Sequence, residues 1–315
     1  MTAYIIRRLL YMIPVLIMVT MSVFFLLQLT GDPIRMFIST GVDLDAEQIE
    51  VLRHELGLDR SLPVQYGMWL GRALQGDLGR STHTGRLVTD ELKARLPVTF
   101  QLGIISWIIS GIIAIPLGII AAVYRGSKLD MFATVTAISG VAVPSFWLGI
   151  MLILLFSVAL RWLPPCGWVN LWDNPIESLR YMAMPVLSLS LAGAALNMRQ
   201  TRSAMLEVLM QDYIRTARAK GLSERTVIWL HAFKNACLPV VTQMGLQVGR
   251  LFGGVVIIET VFMIPGMGRM MVTAIFGRDF LLVQGGVLII ALFIVFANLV
   301  TDLLYAYLDP RIRYR

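Results

Sequence analysis

Six long apolar blocks constrain this chain more than any other feature of its sequence. They are Leu9–Leu29, Pro97–Val123, Phe132–Val158, Met184–Met198, Pro239–Ile264 and Val283–Tyr305. Five of them reach the roughly 18–20 residues that a helix needs to cross a bilayer. The fourth is short and rich in Gly and Ala, and its start is open as far back as Leu179. Because a segment in lipid must satisfy its own backbone hydrogen bonds, each block is predicted to be helical. The sequence therefore predicts an all-α membrane protein with six transmembrane helices.

The composition supports a membrane protein over a soluble one. Hydrophobic residues make up 57% of the chain and charged residues only 15%, whereas a soluble domain carries about a quarter charged residues. The first block is too long for the apolar core of a signal peptide, and no small-residue cleavage site follows it at 28–33. We therefore interpret it as a retained membrane helix.

The distribution of basic residues predicts the topology, because cytoplasmic loops are enriched in Lys and Arg. With the N-terminus inside, the inner segments hold Arg7, Arg8, Arg125, Lys128, Arg199, Arg202, Arg215, Arg218, Lys220, Arg225, Lys234, Arg311, Arg313 and Arg315. Both termini are predicted to be cytoplasmic, and residues 30–96 are predicted to face the periplasm or cell exterior. The net charge of +7 follows from this pattern and requires no nucleic-acid partner.

Three regions follow from this topology. Residues 1–29 form the cytoplasmic N-terminus and first helix, residues 30–96 the external region, and residues 97–315 a five-helix core with a cytoplasmic loop at 205–239. In the external region, Asp45 is a candidate cap for a helix over 46–56, and a second short helix is predicted over 64–74. This region is either a packed cap over the bundle or a docking surface for an external partner; the sequence allows both.

No pattern typical of catalysis or metal binding is present. Cys166 and Cys237 are predicted on opposite sides of the membrane, and the three His residues have no ligands at suitable spacing. The sequence also contains no G-x-x-x-x-G-K-[ST] phosphate loop. We expect no metal, no catalytic residues and no cofactor in this chain, so ATP-driven work would have to come from a partner.

The segment from Met205 to Pro239 is the most informative part of the chain. Apolar residues recur at helical spacing through Leu206, Leu209 or Met210, Tyr213 and Ala217. Gly221 follows where a helix C-terminus needs a left-handed residue, and Ser223 is placed to cap a second helix running toward His231. A helix, a Gly turn and a helix predict a compact knob, which we interpret as a docking element rather than an ordinary loop, because ordinary connections are only a few residues long.

The residues of this knob resemble the EAA loop of permease subunits of ABC importers. Residues 212–221 read DYIRTARAKG and are followed by Leu238 and Pro239. The version is closest to that of the dipeptide, oligopeptide and nickel permeases. The leading Glu-Ala of the general motif is replaced by Arg215-Thr216, and the distance to Leu238 is longer than in sugar permeases, as is usual in the peptide and nickel branch.

The resemblance extends over nearly the whole chain, in the same order as in the family. The matching segments are Ile6–Leu9, Gly31–Pro33, Leu56–Asp59, Gly76–Gly79, Pro144–Trp147, Glu259–Phe262, Pro265–Gly268, Arg278-Asp279 and Asp309–Arg313. One departure is Met263-Ile264, where relatives usually carry an aromatic residue.

The resemblance implies a type I importer with a MetI-like helix bundle in the inner (plasma) membrane. The implied partners are a second, homologous permease, two ATPase subunits that bind the ATP and Mg, and an external substrate-binding protein. The resemblance implies a half-pathway for dipeptides or oligopeptides, or alternatively for nickel, a metallophore or glutathione. The residues implied to couple to the ATPases are Asp212, Tyr213, Arg215, Ala217, Lys220 and Gly221.

Three residues are candidates for the translocation pathway. Arg250 lies near the middle of the fifth block, where a charge costs about 2.5–3.5 kcal/mol to insert and usually faces a cavity or a partner. It either holds an anionic group of the cargo or pairs with the partner permease. Pro144 and Phe146 lie in the third block, where the proline causes either a moving bend or a static kink.

Two other classes of membrane protein are less consistent with the sequence. An ion-coupled secondary transporter usually has acidic residues at mid-membrane and often inverted repeats, and neither is found. A membrane-embedded enzyme would need His, Ser, Cys or carboxylate groups at catalytic spacing, which are also missing.

Overall fold

The computed structural model describes residues 2–29 and 59–308, with side chains throughout except at 2–6, 9, 250–252 and 302–308. The helix predicted over 46–56, with its Asp45 cap, lies outside the described residues, as do the motifs at 31–33 and 309–313. Within these ranges the regular structure is helical, apart from one isolated bridge between Arg80 and Leu87.

The helices follow the apolar blocks closely. They are α1 Thr2–Leu29, α2 Leu62–Leu74, α3 Val88–Val123, α4 Lys128–Ala142, α5 Ser145–Leu152, α6 Pro175–Leu209, α7 Asp212–Ala219, α8 Glu224–Thr226, α9 Lys234–Val261, α10 Met267–Phe276 and α11 Phe280–Leu308. Two π-helical segments extend these elements: Ile153–Ala159 continues α5, and Val227–Phe233 joins α8 to α9. The helix predicted over 64–74 is present as α2.

The number of spans agrees with the prediction if each bent helix pair counts as one. Four helices, α1, α3, α6 and α11, are long and apolar enough to cross a bilayer by themselves. Two bent pairs supply the others, namely α4 with α5 and its π-helical extension, and the α8–α9 segment. The all-α membrane fold is confirmed.

The third span, predicted over 132–158 with a bend or kink at Pro144, consists of two helices that meet at a sharp bend. The chain bends by 101° between α4 and α5. Pro144 lacks an N–H to continue α4 and takes the N-cap position of α5 with φ −61° and ψ 134°. Val143, which precedes the proline, is also extended, at φ −83° and ψ 121°. The bend is therefore caused by the proline and its restriction of the preceding residue.

The fourth span was predicted too short, at 184–198. The observed α6 runs from Pro175 to Leu209, and its start is capped by Asn174, whose side chain accepts a hydrogen bond from the N–H of Glu177. At the other end the helix continues past Arg199, because Ala204 and Met205 remain buried. Hydropathy marks only the most apolar stretch of such a helix.

The chain divides into two compact units, and the first comprises residues 1–97 and 266–295. In it, Phe24 of α1 packs with Tyr66 and Trp69 of α2, and the Tyr66 hydroxyl lies 2.9 Å from Thr20 Oγ1. A second cluster joins residues 78–92 to α10 and the start of α11. In the same unit the buried carboxylate of Asp279 accepts a hydrogen bond from the Ser81 hydroxyl.

The second unit comprises residues 98–265 and 296–315. Its helices α3, α4 and α6 pack closely through small side chains, as is usual between membrane helices. The residues of this seam are Ala114, Ala121, Ala133, Ala137, Ala194, Ala195 and Met198. A further apolar cluster, at the end of α6, positions α7.

A buried polar cluster joins three helices of the second unit. Asn197 of α6 donates to Ser110 Oγ of α3 (3.2 Å) and to Gln247 Oε1 of α9 (3.1 Å). Gln247 in turn donates to Asn197 Oδ1 at 2.8 Å. All three side chains are buried, so this reciprocal amide pair fixes the register of α6 against α9.

Candidate functional site

The coupling loop, residues 205–239, is built from three helical pieces rather than the two that the sequence predicts. α6 ends at Leu209, Gln211 turns the chain with φ −74° and ψ 149°, and α7 begins at Asp212. The expectation of one helix running from Leu206 to Ala217 is therefore wrong. The break changes the buried face: Tyr213 is 43% exposed, whereas Ile214 is fully buried.

The C-terminus of α7 is closed by Gly221, as predicted. Gly221 has φ +77°, its N–H bonds to the carbonyl of Arg218, and the N–H of Leu222 bonds to the carbonyl of Ala217 at 3.4 Å. These two bonds form a Schellman motif, which needs a left-handed residue at this position. The glycine thus sets the angle at which the chain leaves α7.

One apolar face holds α7 against the bundle. Ile214 and Ala217 are buried against Ala204 and Met205 of α6, in a cluster that also contains residues of α3 and of the segment 227–240. Burying a side chain such as Ile contributes roughly 1.5–3 kcal/mol. α7 is therefore packed against the end of α6, and we expect the two helices to move together.

The opposite face of α7 is charged and open to solvent. Asp212 and Arg215 form an exposed ion pair with 3.6 Å between Oδ1 and Nη1, and Lys220 is exposed beside them. Arg218 forms a bidentate pair with Glu224 at 2.8 and 3.3 Å. Exposed pairs contribute little to stability, about 0–1 kcal/mol each, so these side chains are available to bind a soluble partner.

The third helical piece begins at the predicted cap. Ser223 Oγ accepts a hydrogen bond from the N–H of Thr226, and the chain continues as α8, the π-helical segment and α9 without interruption. Asn235 Nδ2 donates to the Tyr213 hydroxyl at 3.0 Å. This bond ties α7 to the start of α9.

An exposed apolar group beside α7 was missed by the sequence reasoning. Trp229 and Leu230, on the π-helical segment, are 50% and 60% exposed, and Met210 and Leu222 are also exposed. The sequence does indicate them, because they are large apolar residues in a segment that is predicted to lie outside the membrane. Met, Trp and Arg are typical of protein interfaces, so the loop presents both charged and apolar groups to a partner.

The coupling residues lie together on one short stretch of the loop. Asp212, Tyr213, Arg215 and Ala217 are all on α7, with Lys220 and Gly221 directly after it. The side chain of Arg250 lies outside the described residues. Pro144 and Phe146 are exposed at the start of α5.

The described residues contain no group of three or more His, Cys, Asp or Glu side chains that could hold a metal ion. Both cysteines are free. Glu259 is fully buried and accepts a hydrogen bond from the Thr99 hydroxyl, so part of the cost of burying its carboxylate is offset by a neighbouring helix.

Comparison with known proteins gives matches over the full chain. Residues 1–103 match the family described as binding-protein-dependent transport system membrane component, N-terminal part, and residues 114–314 match its inner membrane component. A Brucella suis biovar 1 protein named as a peptide transport system permease protein is 42% identical over 315 residues, which is 100% of both chains. The glutathione transport system permease protein GsiC of Escherichia coli K12 is 42% identical over 313 residues, covering 99% of each chain. The chain thus belongs to the family of inner membrane components of binding-protein-dependent transport systems.

Proposed function

We propose that this chain forms half of the translocation pathway of an ATP-driven importer of small peptides, including γ-glutamyl peptides such as glutathione. The observation that supports the substrate class most strongly is the identity of 42% over the whole chain with permeases named for peptide and for glutathione transport. The coupling loop supports the ATP-driven mechanism, since it offers an ordered, exposed surface on the end of a long membrane helix.

The proposed assembly pairs this chain with a second, homologous permease. Two ATPase subunits bind ATP and Mg and dock on the coupling loops, and a binding protein delivers the cargo from outside. ATP binding draws the ATPases together and moves the coupling loops, which opens the pathway outward. Hydrolysis and release return it to the inward-open state, as alternating access requires.

The substrate class is tested on the binding protein of the same transport system, because cargo is selected there. We expect the purified binding protein to bind di- or tripeptides or glutathione with a Kd of about 1 µM or below, a binding free energy of about −8 kcal/mol. Calorimetric titration with dipeptides, tripeptides, glutathione and Ni²⁺ separates the candidates. Binding of Ni²⁺ or a metal chelate, and of no peptide, would contradict the proposed substrate.

The orientation is tested by cysteine labelling in sealed cells. In a variant without Cys166 and Cys237, we expect Gln75→Cys to react with an impermeant thiol reagent and Thr216→Cys to react only after the cells are opened. Both positions are exposed, so accessibility from each side is the only variable. Labelling of Thr216→Cys and protection of Gln75→Cys would invert the proposed topology.

Substitution of Arg250 tests whether this residue lines the proposed pathway. A guanidinium binds carboxylates with two hydrogen bonds, so if Arg250 lines the pathway, Arg250→Gln should lower uptake of carboxylate-bearing cargo about 5- to 10-fold. Co-purification of the partner subunits should be unchanged. Loss of assembly would instead assign Arg250 to the contact with the partner permease, and unchanged uptake of every cargo would remove it from the pathway.

A further inference from the structure

A bidentate ion pair joins the helix below the coupling loop to the third span. Arg202 of α6 donates from Nε to Asp130 Oδ1 at 2.7 Å and from Nη2 to Asp130 Oδ2 at 2.9 Å. The Asp130 side chain is buried, whereas the Arg202 side chain is 28% exposed. A two-point, partly buried pair of this kind is directional and stronger than an ion pair in open water.

Asp130 is fixed to its own helix as well as to Arg202. Its Oδ2 accepts the N–H of Gly126 at 2.9 Å, and its own N–H donates to the Ser127 hydroxyl that caps α4. Thr134, one turn further, adds a longer contact to Oδ1 at 3.4 Å. The Asp130 carboxylate is held in place by these bonds within the first turn of α4. The ion pair therefore connects α6 to a fixed point on α4 and not to a flexible side chain.

Arg202 is one helical turn away from the residues of α6 against which α7 packs. Met205, three residues later on α6, is fully buried in the cluster that holds Ile214 and Ala217 of α7. A contiguous set of contacts therefore leads from α7 through Met205 and Arg202 to Asp130 of α4. α4 ends at the bend that Pro144 makes, so a displacement of α4 would reach the bend in the third span.

We propose that Arg202 and Asp130 form a strut that carries movement of α7 into α4 and so couples ATP hydrolysis to opening of the pathway. The strut rests on the proposed function, and both residues act as positioning residues rather than as contacts of cargo or ATP. Without the pair, the small-residue seam still holds α4 against α6. The fold should therefore survive its loss while coupling does not.

The test uses the complete complex in proteoliposomes with its loaded binding protein. The variants are Arg202→Gln, Asp130→Asn and the exchange Arg202→Glu with Asp130→Arg. Asp130→Asn keeps an oxygen for the Gly126 N–H, so it removes the charge with little effect on the start of α4. Arg199→Gln is the matched control, because Arg199 is on the same helix, one turn earlier, and is exposed.

We expect each single variant to assemble and to hydrolyse ATP, with cargo taken up per ATP reduced about tenfold, the range of a coupling free energy. The exchange variant should recover part of the loss, because it restores an ion pair between α4 and α6 although it loses the acceptor for the Gly126 N–H. An unchanged ratio of uptake to hydrolysis, an equal loss in Arg199→Gln, or no recovery on exchange would overturn the strut. Failure of every variant to assemble would also overturn it, since the pair would then be needed for folding.

Uptake by the wild-type complex shows whether a failure concerns the strut or the proposed substrate. If it takes up no peptide or glutathione, the proposed substrate is wrong. The strut is still judged from the ratio of uptake to hydrolysis for whichever cargo the binding protein delivers.

Discussion

Replacing Gly221 with Val is expected to lower ATP-driven uptake about tenfold while leaving the chain in the membrane. The left-handed conformation costs a residue with a Cβ about 1–2 kcal/mol, and more for a β-branched side chain. No atom lies within 4 Å of the place where a Cβ would stand, so the effect arises from the backbone and not from a clash. We expect the strained Schellman motif to open and α7 to leave its orientation.

A graded series separates backbone strain from loss of a side-chain contact. Asn tolerates the left-handed region better than Ala, and Ala better than Val, so uptake should fall in the order Gly, Asn, Ala, Val. The measurement is uptake together with ATP hydrolysis in purified complexes. Full uptake and full cargo-stimulated hydrolysis in Gly221→Val would show that α7 is not the coupling element.

The second large effect is expected at Asn197. Asn197→Leu leaves the amide of Gln247 buried without its partner, and an unsatisfied buried polar group costs about 1–3 kcal/mol. The assembled complex should therefore dissociate or aggregate at a lower temperature than the wild type. The readout is the fraction of intact complex after heating, measured by size-exclusion chromatography.

The double variant Asn197→Leu with Gln247→Leu is the control for this prediction. Removing both partners of a buried hydrogen bond can be nearly neutral, whereas removing one is costly. The double variant should hence be more stable than Asn197→Leu alone. If the two substitutions simply add, the reciprocal amide pair does not hold α6 against α9.

The sequence predicts the existence of the membrane helices better than their ends or bends. An apolar block of sufficient length is enough to predict a helix in lipid, because a helix satisfies its backbone hydrogen bonds within a single segment. The ends of α6 are different: Asn174 caps one end, and burial of Met205 extends the other. Both depend on local contacts that hydropathy does not measure. Pro144 indicates a bend but not its angle of 101°.

The coupling loop was predictable where special backbone chemistry marks it. Gly221 and Ser223 have the conformation and the cap that their residue types favour. The turn at Gln211 contains neither Gly nor Pro and has an ordinary extended conformation. No residue in it therefore predicts a break in the helix. The pair Arg202–Asp130 joins positions 72 residues apart, and only the packing of α4 on α6 brings them together.

We propose above that this chain forms half of the pathway of an importer driven by ATP in partner subunits. The most direct test places the complete complex in sealed proteoliposomes with the loaded binding protein outside and ATP inside, and follows labelled cargo. We expect accumulation that requires ATP, the binding protein and an intact Gly221, and that is unaffected by collapse of proton or sodium gradients. Accumulation that needs an ion gradient, and continues without the ATPase subunits, would contradict it and identify a secondary transporter instead.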